Sequence, residues 1–162
     1  MASKQSLSNL SDNALLSRLH KLVTREKQTT LSILVHLAEV DRRELYLAYG
    51  FSSLFDYCVG DLGYSRSAAG RRIASARIIR RYPEVFGLLE SGAVNLCTVG
   101  LVAPILDDGN KDLLLREISG KTKLQVESIV ARYKPPIAYR DRVRPVRVAV
   151  PQTRKKNHKH RK

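Results

Sequence analysis

The stretch LGYSRSAAGRRIASARIIRRYP, residues 62–83, contains six arginines and no acidic residue. Ala68, Ala69, Ile73, Ala76 and Ile79 recur through it at helical spacing, and Ala69, Ile73 and Ala76 are predicted to be buried. Ser65, just before this periodic run, is a residue type that caps helix N-termini. The stretch therefore predicts a helix with one apolar side and one strongly basic side.

A shorter helix is predicted directly before it, from SLFDYCVGDL, residues 53–62. Gly63 suits the left-handed backbone of a tight turn, because a glycine has no Cβ to clash. The two helices would then form a helix-turn-helix-like unit over about residues 53–81. The alanines of the second helix are small enough to let it approach the first closely.

The rest of the chain also has helical periodicity, and no alternating strand pattern occurs before residue 140. Ser11 can cap a long helix that reaches about residue 40, as one helix or as two in line with Thr29 and Thr30 as the weakest place. Further helix ends are marked by Gly50, Pro83, Asn95, Gly120 and the capping pair Thr122 and Gln125. The predicted fold class is all-α, a multi-helix bundle of about seven or eight helices.

Three regions follow from this pattern. Residues 1–10 are polar and predicted to be disordered, and residues 11–133 form the all-helical domain. Residues 134–162 are predicted to be a basic, extended linker and tail. Within that tail RVRPVRVAV could form a short strand, but its Pro145 restricts it to a sheet edge or an extended linker.

The positive charge is concentrated in two places. The 162-residue chain carries a formal net charge of +14, and residues 132–162 hold twelve of its 29 Lys and Arg residues against one acid. With the six arginines of residues 62–83 also set aside, the remaining body is slightly acidic. Such separated basic features favour a polyanionic partner, and the alternative is a basic protein with no such partner.

The sequence contains no clear arrangement of residues for catalysis or metal binding. Cys58 and Cys97 are far from any CxxC spacing and are expected to be small buried thiols. His20 and His36 are expected at a core edge or in solvent, and the NHKH letters of the tail have no apolar support to hold a metal. We therefore expect no catalytic residue, no metal and no cofactor. The lack of a secretory or membrane-spanning pattern predicts a cytoplasmic location.

The basic helix supplies the first candidate DNA contacts. Arg66, Ser67 and Arg71 lie near its N-terminus, the end that enters the major groove in helix-turn-helix proteins. The Ser65 hydroxyl and the neighbouring backbone N–H groups could bind a phosphate. The remaining candidates are Arg77, Arg80 and Arg81 for phosphates, with Arg72 at the border of the buried side. The alternative is an ordinary surface helix whose arginines pair with acidic neighbours such as Asp56, Asp61 and Glu84.

The tail supplies a second set of candidates. Lys/Arg-rich ends bind phosphates without sequence preference and release counterions as they do so. The candidate residues are Arg154, Lys155, Lys156, Lys159, Arg161 and Lys162. The alternative is a solvated tail without a partner.

The order of motifs over about residues 9–133 resembles the helical region found upstream of the nuclease domain in a family of bacterial HNH endonucleases. The matching stretches include GFSSLFDYCVGDLGYS, AAGRRIASARIIRRYPEV and GKTKLQVESIVA. The resemblance implies an all-α region that engages DNA or positions the nuclease. Family members continue into an HNH module with a His general base and a metal-ligating His, and no such motif occurs in this chain.

Three hypotheses remain open. The leading one is a DNA-binding protein related to the non-catalytic region of HNH endonucleases. The second is the N-terminal part of an HNH nuclease whose catalytic module is absent from this chain. The third is an interaction module, whose long N-terminal helix packs on a partner or forms a homodimer. The third predicts an apolar strip that stays exposed within residues 12–40.

Overall fold

The computed structural model describes residues 7–133, and within this range it contains seven α-helices and no strand. The helices are α1 (Asp12–Arg42), α2 (Leu54–Gly60), α3 (Arg66–Arg81), α4 (Glu84–Ser91), α5 (Leu96–Val102), α6 (Lys111–Ile118) and α7 (Lys123–Tyr133). A 3-10 helix, η1 (Leu45–Tyr49), follows α1. The predicted all-α class is confirmed. The predicted tail, residues 134–162, and the first six residues lie outside the described range.

Local sequence sets most of the helix ends. The Ser11 hydroxyl accepts the Ala14 N–H at 3.4 Å, so α1 begins where the sequence predicts. Asn95 and Thr98 form a complete capping box on α5. Thr122 and Gln125 form another pair of reciprocal bonds at the start of α7. These bonds satisfy backbone N–H groups that have no partner within the first turn of a helix.

The long first helix is unbroken, and Thr29 and Thr30 lie within it. Its buried residues, Leu31, Leu34, Leu37 and Ala38, all belong to its C-terminal part. The N-terminal half, residues 12–27, projects from the body with almost all of its side chains exposed. Before it, the Leu10 N–H bonds the Leu7 carbonyl in a turn, inside the segment predicted to be disordered.

Helix α3 lies at the centre of the fold and contacts α1, α2, α4 and α5. One of its sides completes a small apolar cluster with α1 and α2. This cluster consists of Leu37, Ala38, Leu54, Cys58, Ala69, Ile73 and Ala76. The opposite side, through Ile78 and Ile79, belongs to a larger cluster with α1 and α4–α7. The sequence predicted the first buried side and indicated Ile79 as part of the apolar pattern, whereas the burial of Ile78 depends on helices that lie later in the chain.

None of the helices in the described range combines the length and the apolar character needed to cross a bilayer.

Candidate nucleic-acid interface

Helices α2 and α3 are joined by a tight turn. Ser53 caps α2 by accepting the Asp56 N–H at 3.0 Å, and Ser65 caps α3 by accepting the Ala68 N–H at 3.3 Å. Between them the Tyr64 N–H bonds the Cys58 carbonyl at 3.0 Å, across Gly63 with φ of 68°. A positive φ favours glycine, so the turn depends on this residue. The geometry fixes α3 against α2 at its N-terminal end.

The side of α3 facing α2 is tightly packed. Ala69 and Ala76 have no exposed surface, and Ile73 is 7% exposed. Arg72 lies at the edge of this side, as predicted, with its guanidinium carbon 4.4 Å from the centre of the Tyr64 ring. Its Nε is buried. Arg72 is therefore held against the turn and is poorly placed to reach a partner.

The N-terminal end of α3 is open to solvent. The residues exposed there are Ser65, Arg66, Ser67, Gly70 and Arg71. Arg66 lies over the Phe55 ring, 4.9 Å from its centre, and Arg71 lies beside Gly100 of α5. Neither arginine makes an ion pair with any carboxylate in residues 7–133. Two guanidinium groups without an ion pair in the described range thus flank a capped helix N-terminus, whose dipole adds to the positive potential, and one of them, Arg66, is close enough to Asp56 to lower the pKa of that carboxylate.

The C-terminal end of α3 differs, because two of its arginines already have carboxylate partners. The Arg77 guanidinium donates two hydrogen bonds to Asp41 of α1, at 2.9 and 3.0 Å. This pairing lowers the pKa of Asp41 and raises that of Arg77. Arg81 bonds Asp108 at 3.2 Å. Arg80, by contrast, is exposed and makes no ion pair within the described residues.

None of the carboxylates named as possible partners, Asp56, Asp61 and Glu84, forms an ion pair with an arginine of α3 in the described range. Asp56 accepts bonds from the Ser53 and Ser52 hydroxyls, which lower its pKa, and the charge of Arg66 lowers it further. Burial raises the pKa of the Tyr57 phenol, and Asp61 beside it raises that pKa further. Glu84 pairs with Lys111 at 3.3 Å. Asp107 accepts the N–H groups of Gly109 and Asn110 in the turn before α6. The six tail candidates, from Arg154 to Lys162, lie outside the described residues.

Sequence reasoning missed the residues that hold the basic helix in place. Asp41 and Asp108 are 36 and 27 positions from their arginine partners. No local pattern links residues so far apart, and only the crossing of α3 with α1 brings the first pair together. The stacking of Arg66 on Phe55 and of Arg72 on Tyr64 was also not predicted, because several aromatic residues lie close to this helix in the sequence and nothing local selects these two.

The described residues offer little for metal or nucleophile chemistry. Within residues 7–133, no group of three His, Cys, Asp or Glu side chains could hold a metal ion. His20 and His36 are exposed. Cys58 is buried, and this burial raises the pKa of its thiol, which disfavours the reactive thiolate. Cys97 is half-buried, more open than the sequence predicted.

No family model, curated protein or solved structure matches this chain.

Proposed function

We propose that this protein binds duplex DNA through the N-terminal end of α3. One observation carries the proposal: this end is capped and exposed, and its Arg66 and Arg71 make no ion pair in the described range. The arginines of α3 that form ion pairs, Arg77 and Arg81, lie at the other end of the same helix.

The chemistry of the proposed contact follows from the residue types. A guanidinium group can donate two hydrogen bonds to O6 and N7 of a guanine in the major groove. Ser65, Ser67 and the N–H groups of the first helical turn can bind a phosphate, helped by the helix dipole. Arg80 lies two turns further along and suits a second phosphate. Arg77 and Arg81 hold carboxylates instead, so the proposal gives them a structural role.

A relationship to the non-catalytic region of HNH endonucleases is part of the same proposal, and it rests on the motif order over residues 9–133. Such a protein would act beside a nuclease, or as a competitor or regulator of one. A cytoplasmic location also remains a prediction from the sequence. The enzyme alternative, a nuclease module supplied outside this chain, predicts that a neighbouring reading frame encodes an HNH module.

The proposal is tested by replacing Arg66 and Arg71 together. We expect Arg66→Ala with Arg71→Ala to weaken binding to duplex DNA by about 10-fold or more and to flatten any sequence preference, since a bidentate contact contributes roughly 1–3 kcal/mol. Gel-shift titrations on random duplexes at two salt concentrations measure both effects.

A matched control removes the same charge elsewhere. Arg116 and Lys121 are exposed, and neither makes an ion pair in the described range. Arg116→Ala with Lys121→Ala should change affinity only slightly. Equal losses in the two double variants would show a non-specific charge effect, and unchanged affinity in the α3 variant would refute the proposed contact. Single-stranded DNA and RNA of the same sequence form two further arms, which test the choice of duplex DNA.

A second candidate function, a protein-interaction module, is favoured by a different observation. Five aliphatic side chains on the projecting half of α1 are 42–61% exposed. Contiguous exposed apolar surface of this kind marks interaction sites. Because these residues lie on another element, the two candidate functions do not exclude each other.

A further inference from the structure

The projecting half of α1 presents a continuous line of aliphatic side chains, here called the aliphatic strip. It consists of Leu15, Leu16, Leu19, Leu22 and Val23, with exposures of 42%, 53%, 54%, 61% and 54%. The spacing of three and four residues places them on one face of the helix. A helical segment of this length is marginal in water without packing, so the strip indicates a surface that a partner covers.

The strip is symmetric about Leu19. Its other members lie three and four residues before that position and three and four residues after it. When two such helices pair antiparallel with Leu19 at the centre, Leu16 meets Leu22 and Leu15 meets Val23. A two-fold axis through Leu19 thus matches every apolar side chain with another, which is the self-complementarity that a symmetric dimer requires.

The body of the molecule decides between antiparallel and parallel pairing. Beyond Val23 the same face of α1 meets the α4–α5 turn, where Lys27 lies close to Gly92. A parallel partner helix would have to continue into this region, where the body blocks it. In an antiparallel pair, Asp12 at the start of the partner's α1 lies opposite Glu26. The partner helix therefore ends before it would meet the α4–α5 turn.

The point where that partner helix would end contains an apolar groove of about 310 Å³. Its apolar lining is Val23, Leu31, Leu89, Val94 and Leu96. In the antiparallel arrangement the turn at residues 7–10, which precedes the partner's α1, lies next to this groove, because Asp12 of the partner lies opposite Glu26 of the groove lining. Leu7 is 39% exposed and is the aliphatic side chain available to fill the groove.

The size of the contact lies at the lower end of the range for specific dimers. At roughly half exposure, the strip offers on the order of 450 Å² of apolar surface per copy, so a pair would bury about 900 Å² from the strip alone. The two grooves, each filled by a leucine, add to this at both ends. The total then approaches the about 1,200 Å² at which specific interfaces begin.

We infer that two copies of this chain pair antiparallel through α1, with Leu19 on the two-fold axis and Leu7 of each copy in the groove of the other. This inference rests on the aliphatic strip and the groove, and it does not depend on DNA binding. The partner is a second copy because the strip complements itself.

The oligomeric state of the full-length protein gives the first test. We expect sedimentation velocity to show a dimer whose dissociation constant rises at least 10-fold in Leu19→Lys. Leu124 of α7 is 75% exposed and outside the strip, so Leu124→Lys is the matched control and should leave the dimer intact. Circular dichroism checks that both variants stay helical. A wild-type monomer at all concentrations, or a dimer that survives Leu19→Lys, would overturn the inference.

Thiol cross-linking tests the direction of the pair. The background carries Cys97→Ser and keeps Cys58, which is fully buried. Mixed Leu15→Cys and Val23→Cys proteins should form a disulfide with each other, whereas Leu15→Cys alone should not, because its two thiols would lie about 12 Å apart along the helix. A disulfide in the Leu15→Cys protein alone would show a parallel pair and contradict the inference. Val35→Cys, exposed outside the strip, serves as the control for random collision.

Discussion

At position 77 a guanidinium group of α3 reaches across to a carboxylate of α1. The Asp41 side chain is only 10% exposed, whereas that of Arg77 is 57% exposed. A carboxylate so covered needs a partner, because burial without one disfavours the charged form. The pair therefore fixes the C-terminal end of α3 on the first helix, while the N-terminal end stays open.

We expect Arg77→Ala to lower the free energy of unfolding by about 1–2 kcal/mol at pH 7, because it leaves Asp41 without its donor. The pKa of Asp41 is lowered in the folded protein, so this contribution is present above its ordinary value of 3.8 and is lost as the pH falls below it. Urea titrations at several pH values measure the effect.

Arg116→Ala is the control for this prediction, because Arg116 is exposed on α6, makes no ion pair in the described range and is not among the charges that lower the pKa of Asp41. It should change stability by less than about 0.5 kcal/mol. An Arg77→Ala effect of the same size at pH 3 and pH 7 would contradict the assigned role of Asp41.

Residue-level prediction succeeds where the partner is near in sequence. Ser11, Ser65 and Asn95 were predicted as caps, and each accepts a backbone N–H two or three residues ahead. The ion pairs of Arg77 and Arg81 were not predictable in this way. Their carboxylates are brought near only by the packing of whole helices.

At the scale of the element, α3 contains a glycine that its backbone does not require. Gly70 is helical and exposed, and a Cβ added there would meet no atom within 4 Å. Gly63 differs, because its φ is 68°. The two glycines therefore form a matched pair for substitution.

We expect Gly70→Ala to stabilise the protein by about 0.5–1 kcal/mol, because alanine loses less backbone entropy in a helix. Gly63→Ala should destabilise it by about 1 kcal/mol, since the left-handed backbone clashes with a Cβ. Thermal unfolding followed by circular dichroism compares the two. Destabilisation by Gly70→Ala would mean that α3 is not a regular helix at this position.

The element pattern was largely visible in the sequence. The α2–turn–α3 order follows from Gly63 between two helical patterns. The burial of Ala69, Ile73 and Ala76 follows from their spacing of three and four residues. The 3-10 helix Leu45–Tyr49 was not predicted. It follows Glu44, whose φ of 52° is unusual for a residue other than glycine, and no local sequence pattern indicates this conformation. The burial of Ile78, on the second buried side of α3, depends on helices that pack from the other direction.

At the scale of the whole molecule, the charge distribution predicts two kinds of DNA contact. Removal of residues 152–162 takes away six Lys and Arg residues. We expect this truncation to weaken binding to all sequences alike and to reduce the dependence of affinity on salt, because fewer counterions are released. Binding titrations over a salt series measure the slope. A truncated protein with an unchanged slope would contradict this role of the tail.

The length of α1 determines the distance between Leu19, at the centre of the proposed pair, and Asp41, where α3 is anchored. From Leu19 to Asp41, where α3 is anchored, the helix rises about 33 Å. In the antiparallel pair inferred above, the two Asp41 anchors would lie about 66 Å apart along the paired helices. The length of α1 between Leu19 and Asp41 would then set how far apart the two basic helices of the dimer lie.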